Sequence, residues 1–335
     1  MILIDSVYIN CGGAKILLNY LIQTIEKKEI LAYYLFDDRC KGNYAFIPES
    51  RKTFIKANLV NRHLFYSKNK NKFKKVFCFG NVAPTMSLNV PVYTYFHQTL
   101  FLEVPHSISL LDRMKMKFKT SVFSLFKSNT NIWLVQSEII QKKLASKHDL
   151  NINNIKTMPF YPPLKNDKKE YKRRKDGFVY ISLGGIHKNH QNLISAFCNY
   201  FEENQKGILH ITIGEEFSDL INFIESKINH GFPIVNHGFV SRKSLVEIYN
   251  TNQYLIYPSL AESFGLAIVE AIENGCNVIG ADLPYTYAVC NPSIVFDPLD
   301  IDDIKRALND SQSNRVKKTD QLVFNQIEEL IALLR

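Results

Sequence analysis

Short apolar runs alternate along the chain with segments whose apolar residues return every three or four positions, and the alternation is most regular in the second half. There FVYISLG, ILHITIG, PIVNHG, LIYPS, NVIGAD and SIVFDP read as strands. HQNLISAFCNYFEE, a segment from about residue 218, SRKSLVEIYN, GLAIVEAIENG and DIDDIKRALND read as helices between and after them. Strands alternating with helices imply right-handed parallel βαβ units, hence a doubly wound domain. The first half follows the same scheme more loosely. Residues 2–9 read as a strand, residues 10–13 as a glycine turn and AKILLNYLIQTIEKK as an amphipathic helix. KVFCFGN, VPVYTYFHQ, NIWLVQS and NIKTMPFY are further strands, and SEIIQKKLASKHDL is a helix opened by Ser137 as its N-cap.

Three stretches break the pattern. Residues 51–75 carry nine basic residues and no acid, which predicts a solvated, mobile loop. In residues 109–128, Leu111, Met114, Phe118, Val122 and Phe126 form one apolar stripe, surrounded by Arg113, Lys115, Lys117, Lys119 and Lys127 with the single acid Asp112. Such a helix can pack on its own domain, or it can lie in an anionic membrane interface with its lysines over the head groups. PPLKNDKKEYKRRKDG has two prolines, dense charge and no apolar period, and reads as an interdomain linker.

The length, 335 residues, suits two domains. The formal net charge of +9 hides an asymmetry: residues 1–176 carry 30 Lys and Arg against 13 Asp and Glu (+17), residues 177–335 carry 11 against 19 (−8). The first half is therefore expected to face an anionic partner. No apolar run reaches about 18 residues, and MILIDSVYI lacks a basic leader, so a cytoplasmic protein is expected, peripheral on the inner face of the membrane if the 109–128 helix docks there. Six scattered cysteines with no C-x-x-C and no histidine at metal spacing predict reduced structural thiols and no metal site.

The most informative stretch is residues 254–276, YLIYPSLAESFGLAIVEAIENGC, a strand, a small-residue loop and a helix closed by Gly275. In such a unit an anion docks at the carboxyl end of the strand, on the first N–H groups of the helix. Glu262 lies in the loop. Glu270 lies in the helix between the apolar Val269 and Ala271, so its carboxylate is expected to be partly buried and to need partners such as the two hydroxyls of a ribose. An unremarkable loop Glu and helix-surface Glu is the competing reading. Gly12 and Gly13 either let a ligand approach the backbone or only make a tight strand-to-helix turn. His97 ends a predicted strand, and both a structural and a functional role stay open for it.

PSLAESFGLAIVEAIENG closely resembles the E-x7-E signature of retaining family 4 glycosyltransferases, of the bacterial surface-polysaccharide type, and HGFVSRKSLVEIYNTNQYLIYPS resembles the approach to that signature. Together they cover residues 238–275 without a gap. The resemblance implies an α/β, GT-B fold, two Rossmann-like doubly wound domains facing a central cleft. The expected division is an acceptor-binding domain over residues 1–163, a linker over 164–177, a nucleotide-sugar-binding domain over 178–318 and a C-terminal helix over 319–335 that packs back on the first domain. It further implies a hexosyltransferase that moves a sugar from a nucleotide diphosphate sugar to a glycan or lipid-linked acceptor with retention of configuration, in O-antigen, capsule or lipopolysaccharide synthesis, with no cofactor and no obligatory metal.

By the same resemblance Lys188 and the backbone of Phe264, Gly265 and Leu266 hold the diphosphate, Glu270 the ribose, and Glu262 and Ser263 the sugar or its phosphate. Gly12 and Gly13 complete the donor site, and His97 stands across the cleft beside the sugar, so that Glu262 and His97 are the catalytic candidates. Relatives usually place an arginine shortly before the lysine; none lies between Tyr180 and Lys188, so either His187 or His190 substitutes or the site is less cationic and binds diphosphate less tightly. A GT-B epimerase would share the donor site without needing a basic acceptor surface. A nucleic-acid-binding protein would explain the basic half but not the E-x7-E stretch, and no nucleic-acid partner is expected.

Overall fold

The computed structural model describes residues 1–97, 101–102, 110–164 and 170–335. The chain divides into two compact units, one comprising Met1–Pro162 with Phe324–Arg335, the other Pro163–Val323.

The first unit runs β1 (Ile2–Asp5), α1 (Gly12–Lys27), β2 (Ala32–Asp37), β3 (Lys52–Ile55), α2 (Leu59–Asn69), β4 (Lys75–Cys78), β5 (Val92–Phe96), α3 (Leu110–Phe126), β6 (Ile132–Val135), α4 (Glu138–His148) and β7 (Ile155–Thr157). Its seven strands are parallel, in the order β3-β2-β1-β4-β5-β6-β7. Strand order reverses between β1 and β4, which marks the crevice where a ligand is expected in a doubly wound sheet. Fully buried Leu3, Leu35, Val76 and Cys78 pack one part of the core, and Phe96, Phe123, Trp133 and Val135 another.

The second unit runs β8 (Arg174–Tyr180), α5 (His190–Asn204), β9 (Ile208–Ile211), α6 (Ser218–Asn229), β10 (Ile234–Asn236), α7 (Arg242–Thr251), β11 (Asn252–Tyr257), α8 (Leu266–Glu273), β12 (Asn277–Ala281), α9 (Pro284–Tyr287), β13 (Cys290–Asn291), β14 (Ile294–Phe296), α10 (Ile301–Asp310) and β15 (Asp320–Gln321). Six strands form a parallel sheet in the order β10-β9-β8-β11-β12-β14, reversing between β8 and β11. α11 (Ile327–Leu334) then completes the first unit: Gln326 N donates to Pro159 O at 2.8 Å, Lys75 Nζ to Leu333 O at 2.9 Å, and Leu330, Ile331 and Leu334 are buried.

Several expectations change. Residues 51–75 are not a loop, since β3 and α2 lie within them. Two of their cations are buried for stated reasons: Lys52 Nζ donates to Tyr44 O and Ile47 O at 2.9 and 2.7 Å, and Arg62 pairs with Asp5 at 2.7 Å. β1 ends at Asp5 rather than running to residue 9, because Val7 N turns back onto Asp5 Oδ1. The expected linker already carries structure at Arg173. Arg173 donates to the carbonyls of Tyr249, Asn252 and Asn274, neutralising the C-terminal ends of α7 and α8, and β8 begins at the next residue instead of at Phe178. Within residues 319–335 only Ile327–Leu334 is helix, and Asp320–Gln321 forms a strand with β13.

Of the 109–128 stripe, Ser109 and the side chains of Leu111, Asp112, Arg113, Lys115, Lys117 and Phe118 lie outside the described residues. α3 packs inward through Phe123, which the stripe did not include, with Phe126 half-buried beside it, while Met114 and Leu125 are exposed.

Candidate active site

β11 delivers the chain into a loop that starts at Pro258 and Ser259 and ends at Gly265, where α8 begins. Gly265 has φ +73°, and a Cβ there would meet Ile268 Cδ1 at 3.0 Å, so both backbone and space call for glycine. No described side chain caps α8 and its first turn holds no acid. The start of α8, at Gly265 and Leu266, is thus a place where an anion can dock.

β8 supplies the facing loop. Ile186–Lys188 forms one 3-10 turn, and Asn189, in the left-handed region at φ +60°, starts α5. The two loops are stitched together. Leu260 N donates to His187 O at 2.8 Å, Ser259 Oγ to the same carbonyl at 3.3 Å, and Asn189 Nδ2 to Pro258 O at 3.2 Å. Tyr180 OH donates to Lys188 O at 2.7 Å.

This stitching brings Lys188 and Glu262 into contact at the point where strand order reverses. Lys188 Nζ donates to Glu262 Oε1 at 2.5 Å, and Tyr257 OH donates to the same oxygen at 2.9 Å. Both side chains are largely buried. The result is a charge pair that an incoming diphosphate can split, taking the ammonium while Glu262 keeps the tyrosine hydroxyl.

Glu270 is buried, as its apolar neighbours predict, but it has a protein partner. Arg242 Nη1, on the first residue of α7, lies 2.6 Å from Glu270 Oε1. Burial pushes the Glu270 carboxyl up, and Arg242 opposes that by favouring the ionised form. Arg242 was not singled out in the sequence. A signal existed, since a cation in the first turn of a helix opposes the helix dipole and calls for an acid elsewhere.

The histidine substitution for the missing arginine does not hold. His190 is buried against the Tyr180 ring, and burial lowers its pKa to about 3. His187 is lowered too, by burial and by the neighbouring Lys188. Burial thus disfavours charge on either ring, which fits the less cationic alternative and leaves Lys188 to meet an anion at this loop.

The first unit holds the other candidates. α1 opens with Gly12 and Gly13, and a Cβ at either would meet nothing within 4 Å, which leaves room for a ligand at that end. His97 follows the last residue of β5, its ring tilted by 32° against that of Phe79 with centroids 5.1 Å apart, and burial lowers its pKa to about 4. Its sequence neighbour Gln98 lies outside the described residues. A cavity of ≈620 Å³ opens at the ends of β1 and β4, lined by Tyr8, Asn10, Asn58 and Asn81 and by the cations Arg39 and Lys119.

Residues 163–328 match the family described as "Glycosyl transferases group 1". Among curated proteins, the serotype-specific mannosyltransferase WbdA of Escherichia coli is 27% identical over 95 residues, 28% of this chain and 12% of the relative. A second WbdA is 32% identical over 72 residues, 21% of this chain and 9% of the relative, so the chain spans about a tenth of the length of the curated relatives it matches. Among solved structures, a lipopolysaccharide outer core galactosyltransferase WaaB in its apo form superposes with a TM-score of 0.67 at 17% identity, covering 94% of this chain and 91% of that one. Sucrose-phosphate synthase of Thermosynechococcus elongatus gives a TM-score of 0.70 at 14% identity, with 92% and 88% covered. Anabaena HepE in complex with UDP and glucose gives 0.66 at 13% identity, with 94% and 90% covered. At these identities the likeness shows the fold, two parallel, Rossmann-like sheets of the GT-B class.

Proposed function

We propose that this chain is a hexosyltransferase that takes a sugar from a nucleotide diphosphate sugar and passes it to a glycan or lipid-linked acceptor, with retention of configuration, in the synthesis of a cell-surface polysaccharide. The observation that carries the reading is the Lys188–Glu262 pair at the strand reversal, beside the uncapped start of α8. The diphosphate draws Lys188 and the N–H groups of Gly265 and Leu266, and the charge developing on the departing nucleotide is stabilised by the same groups. Glu270, oriented by Arg242, takes the ribose hydroxyls, and Glu262, released from Lys188, turns to the sugar with Ser263. The leaving phosphate assists attack on the same face, so no side chain need act as base, and no metal is required. His97 and the glycines at the start of α1 serve the transferred sugar from the first unit. The basic surface of that unit receives the acceptor, and α3 holds the enzyme at an anionic membrane face.

The test is a thermal-shift and calorimetry panel of nucleoside diphosphates and nucleotide sugars, followed by transfer assays in the presence of EDTA. A ligand at 100 times its Kd raises stability by about 2.7 kcal/mol. Stabilisation by one nucleoside diphosphate, lost in Lys188→Ala, is expected. An epimerised nucleotide sugar released without acceptor would replace the transfer reading with an epimerase, and absence of any nucleotide response would overturn both.

A further inference from the structure

His97 is fixed by one side chain with an unusual completeness. Asn81 follows β4 by three residues, sits in the left-handed region at φ +64°, and is itself buried. Its Oδ1 accepts from His97 N at 2.7 Å, and its Nδ2 lies 3.3 Å from His97 Nε2. The first contact settles the orientation of the amide, because a backbone N–H can only donate and so must face the carbonyl oxygen. The amide nitrogen therefore faces the ring. That nitrogen offers hydrogens and no lone pair, so Nε2 must accept.

We propose that Asn81 is a positioning residue that holds His97 in the tautomer with its proton on Nδ1, and that His97 consequently offers substrate a hydrogen-bond donor rather than a base. Nδ1 has no hydrogen-bond partner among the described residues, though it is shielded from solvent. A buried donor without a partner is costly unless a ligand fills the need, and an oxygen of the transferred sugar is the acceptor it suits. Burial, which lowers the pKa of His97 to about 4, keeps the second nitrogen unprotonated at neutral pH, so the accepting role of Nε2 is maintained. The Asn81 backbone is held in turn from below. Arg62, buried and paired with Asp5, donates through Nη2 to Val82 O at 2.9 Å and through Nη1 to Ala83 O at 2.7 Å, anchoring the loop directly after Asn81. On the other side, a Cβ at Gly80 would meet Val7 O at 3.1 Å, so the β1 and β4 loops fit closely there. Asp5, Arg62, Asn81 and His97 thus form a chain that ends in one oriented N–H.

The inference rests on the proposal that His97 contacts the reacting sugar, and the experiment separates the two. The full chain labelled with 15N at its histidine rings is examined by long-range proton–nitrogen correlation, with His97 assigned by its loss in His97→Gln. The expected spectrum shows Nδ1 protonated and Nε2 bare in the wild type. In Asn81→Asp the carboxylate can only accept, so the two nitrogens exchange character while the His97 N contact survives. Activity should then fall roughly tenfold to a hundredfold in kcat, the scale for loss of one oriented donor, with donor KM little changed. His97→Gln, whose amide still donates, should retain several-fold more activity than His97→Ala. A wild-type ring protonated on Nε2 overturns the inference, and that spectrum decides the matter even if Asn81→Asp does not fold. Full activity in His97→Ala with the expected spectrum would instead remove His97 from the reaction while leaving the tautomer as assigned.

Discussion

Lys188 and Glu262, 74 residues apart in sequence, share a 2.5 Å contact at the reversal of strand order in the second unit. Each is the other's counter-ion without ligand. Removing the cation leaves Glu262 with Tyr257 and, on the proposed function, takes from the diphosphate the side-chain charge at this loop. Lys188→Ala should lower kcat/KM about ten- to a hundredfold, which is one charge-assisted hydrogen bond of roughly 1.5–3 kcal/mol. Steady-state kinetics with the donor identified in the nucleotide panel checks this.

Glu270→Ala should weaken nucleoside diphosphate binding about tenfold or more in calorimetry. It also removes the carboxylate that pairs with Arg242, so Tm should fall as well. Arg242 remains about one-third exposed and water can solvate it, which keeps the stability cost near 1 kcal/mol. The double variant with Arg242→Ala should recover part of the lost Tm and none of the lost affinity.

Gly265→Ala places a Cβ 3.0 Å from Ile268 Cδ1 on a backbone at φ +73°. We expect about 1 kcal/mol of destabilisation by thermal melting and a larger relative loss of donor affinity, because the start of α8 must shift to relieve the contact.

Acid should destabilise the protein over a definite window. His97 and His190 take up a proton near pH 6.5 when unfolded, but only near about 4 and about 3 in the folded chain, because burial disfavours their charged forms. Between those values the unfolded state binds more protons, so stability is full above pH 6.5 and declines as pH falls through the window. Melting curves from pH 7 to pH 4 measure the slope, and a combined His97→Gln and His190→Gln variant should flatten it.

The membrane proposal predicts co-sedimentation with vesicles containing anionic lipid at low salt, reversed as salt rises. Replacing Lys115, Lys117 and Lys119 with Gln should weaken it while leaving nucleotide binding unchanged. If the wild type ignores such vesicles, α3 serves only the core through Phe123.

The second unit was readable almost strand by strand, because its apolar runs are short and its helices periodic. The first unit was less so, and the reason is visible at Lys52 and Arg62. Density of positive charge was taken to mean solvation, yet Lys52 satisfies its ammonium on two carbonyls, and Arg62 spends its guanidinium on Asp5, Val82 O and Ala83 O. A linear sequence shows the cation and hides the acceptors, which lie on other segments. The candidate site divides the same way. Glu262 in the loop, Gly265 at the start of α8 and Glu270 buried in the helix lie on one contiguous stretch, and their placement was legible from it. Arg242 lies 28 positions from Glu270 and Asn81 16 from His97; the cation in the first turn of α7 calls for an acid elsewhere, but nothing local says which one.

The return of Phe324–Arg335 to the first unit has a consequence for synthesis. Leu330, Ile331 and Leu334 fill that unit's core, so during translation its sheet must wait, with this apolar surface uncovered, while some 160 residues of the second unit are made. The second unit can close first, since all of its strands lie within one uninterrupted segment. The order of folding on the ribosome is thereby opposite to the order of the sequence, and stalled chains ending near Val323 should present a protease-resistant second unit beside a susceptible first one.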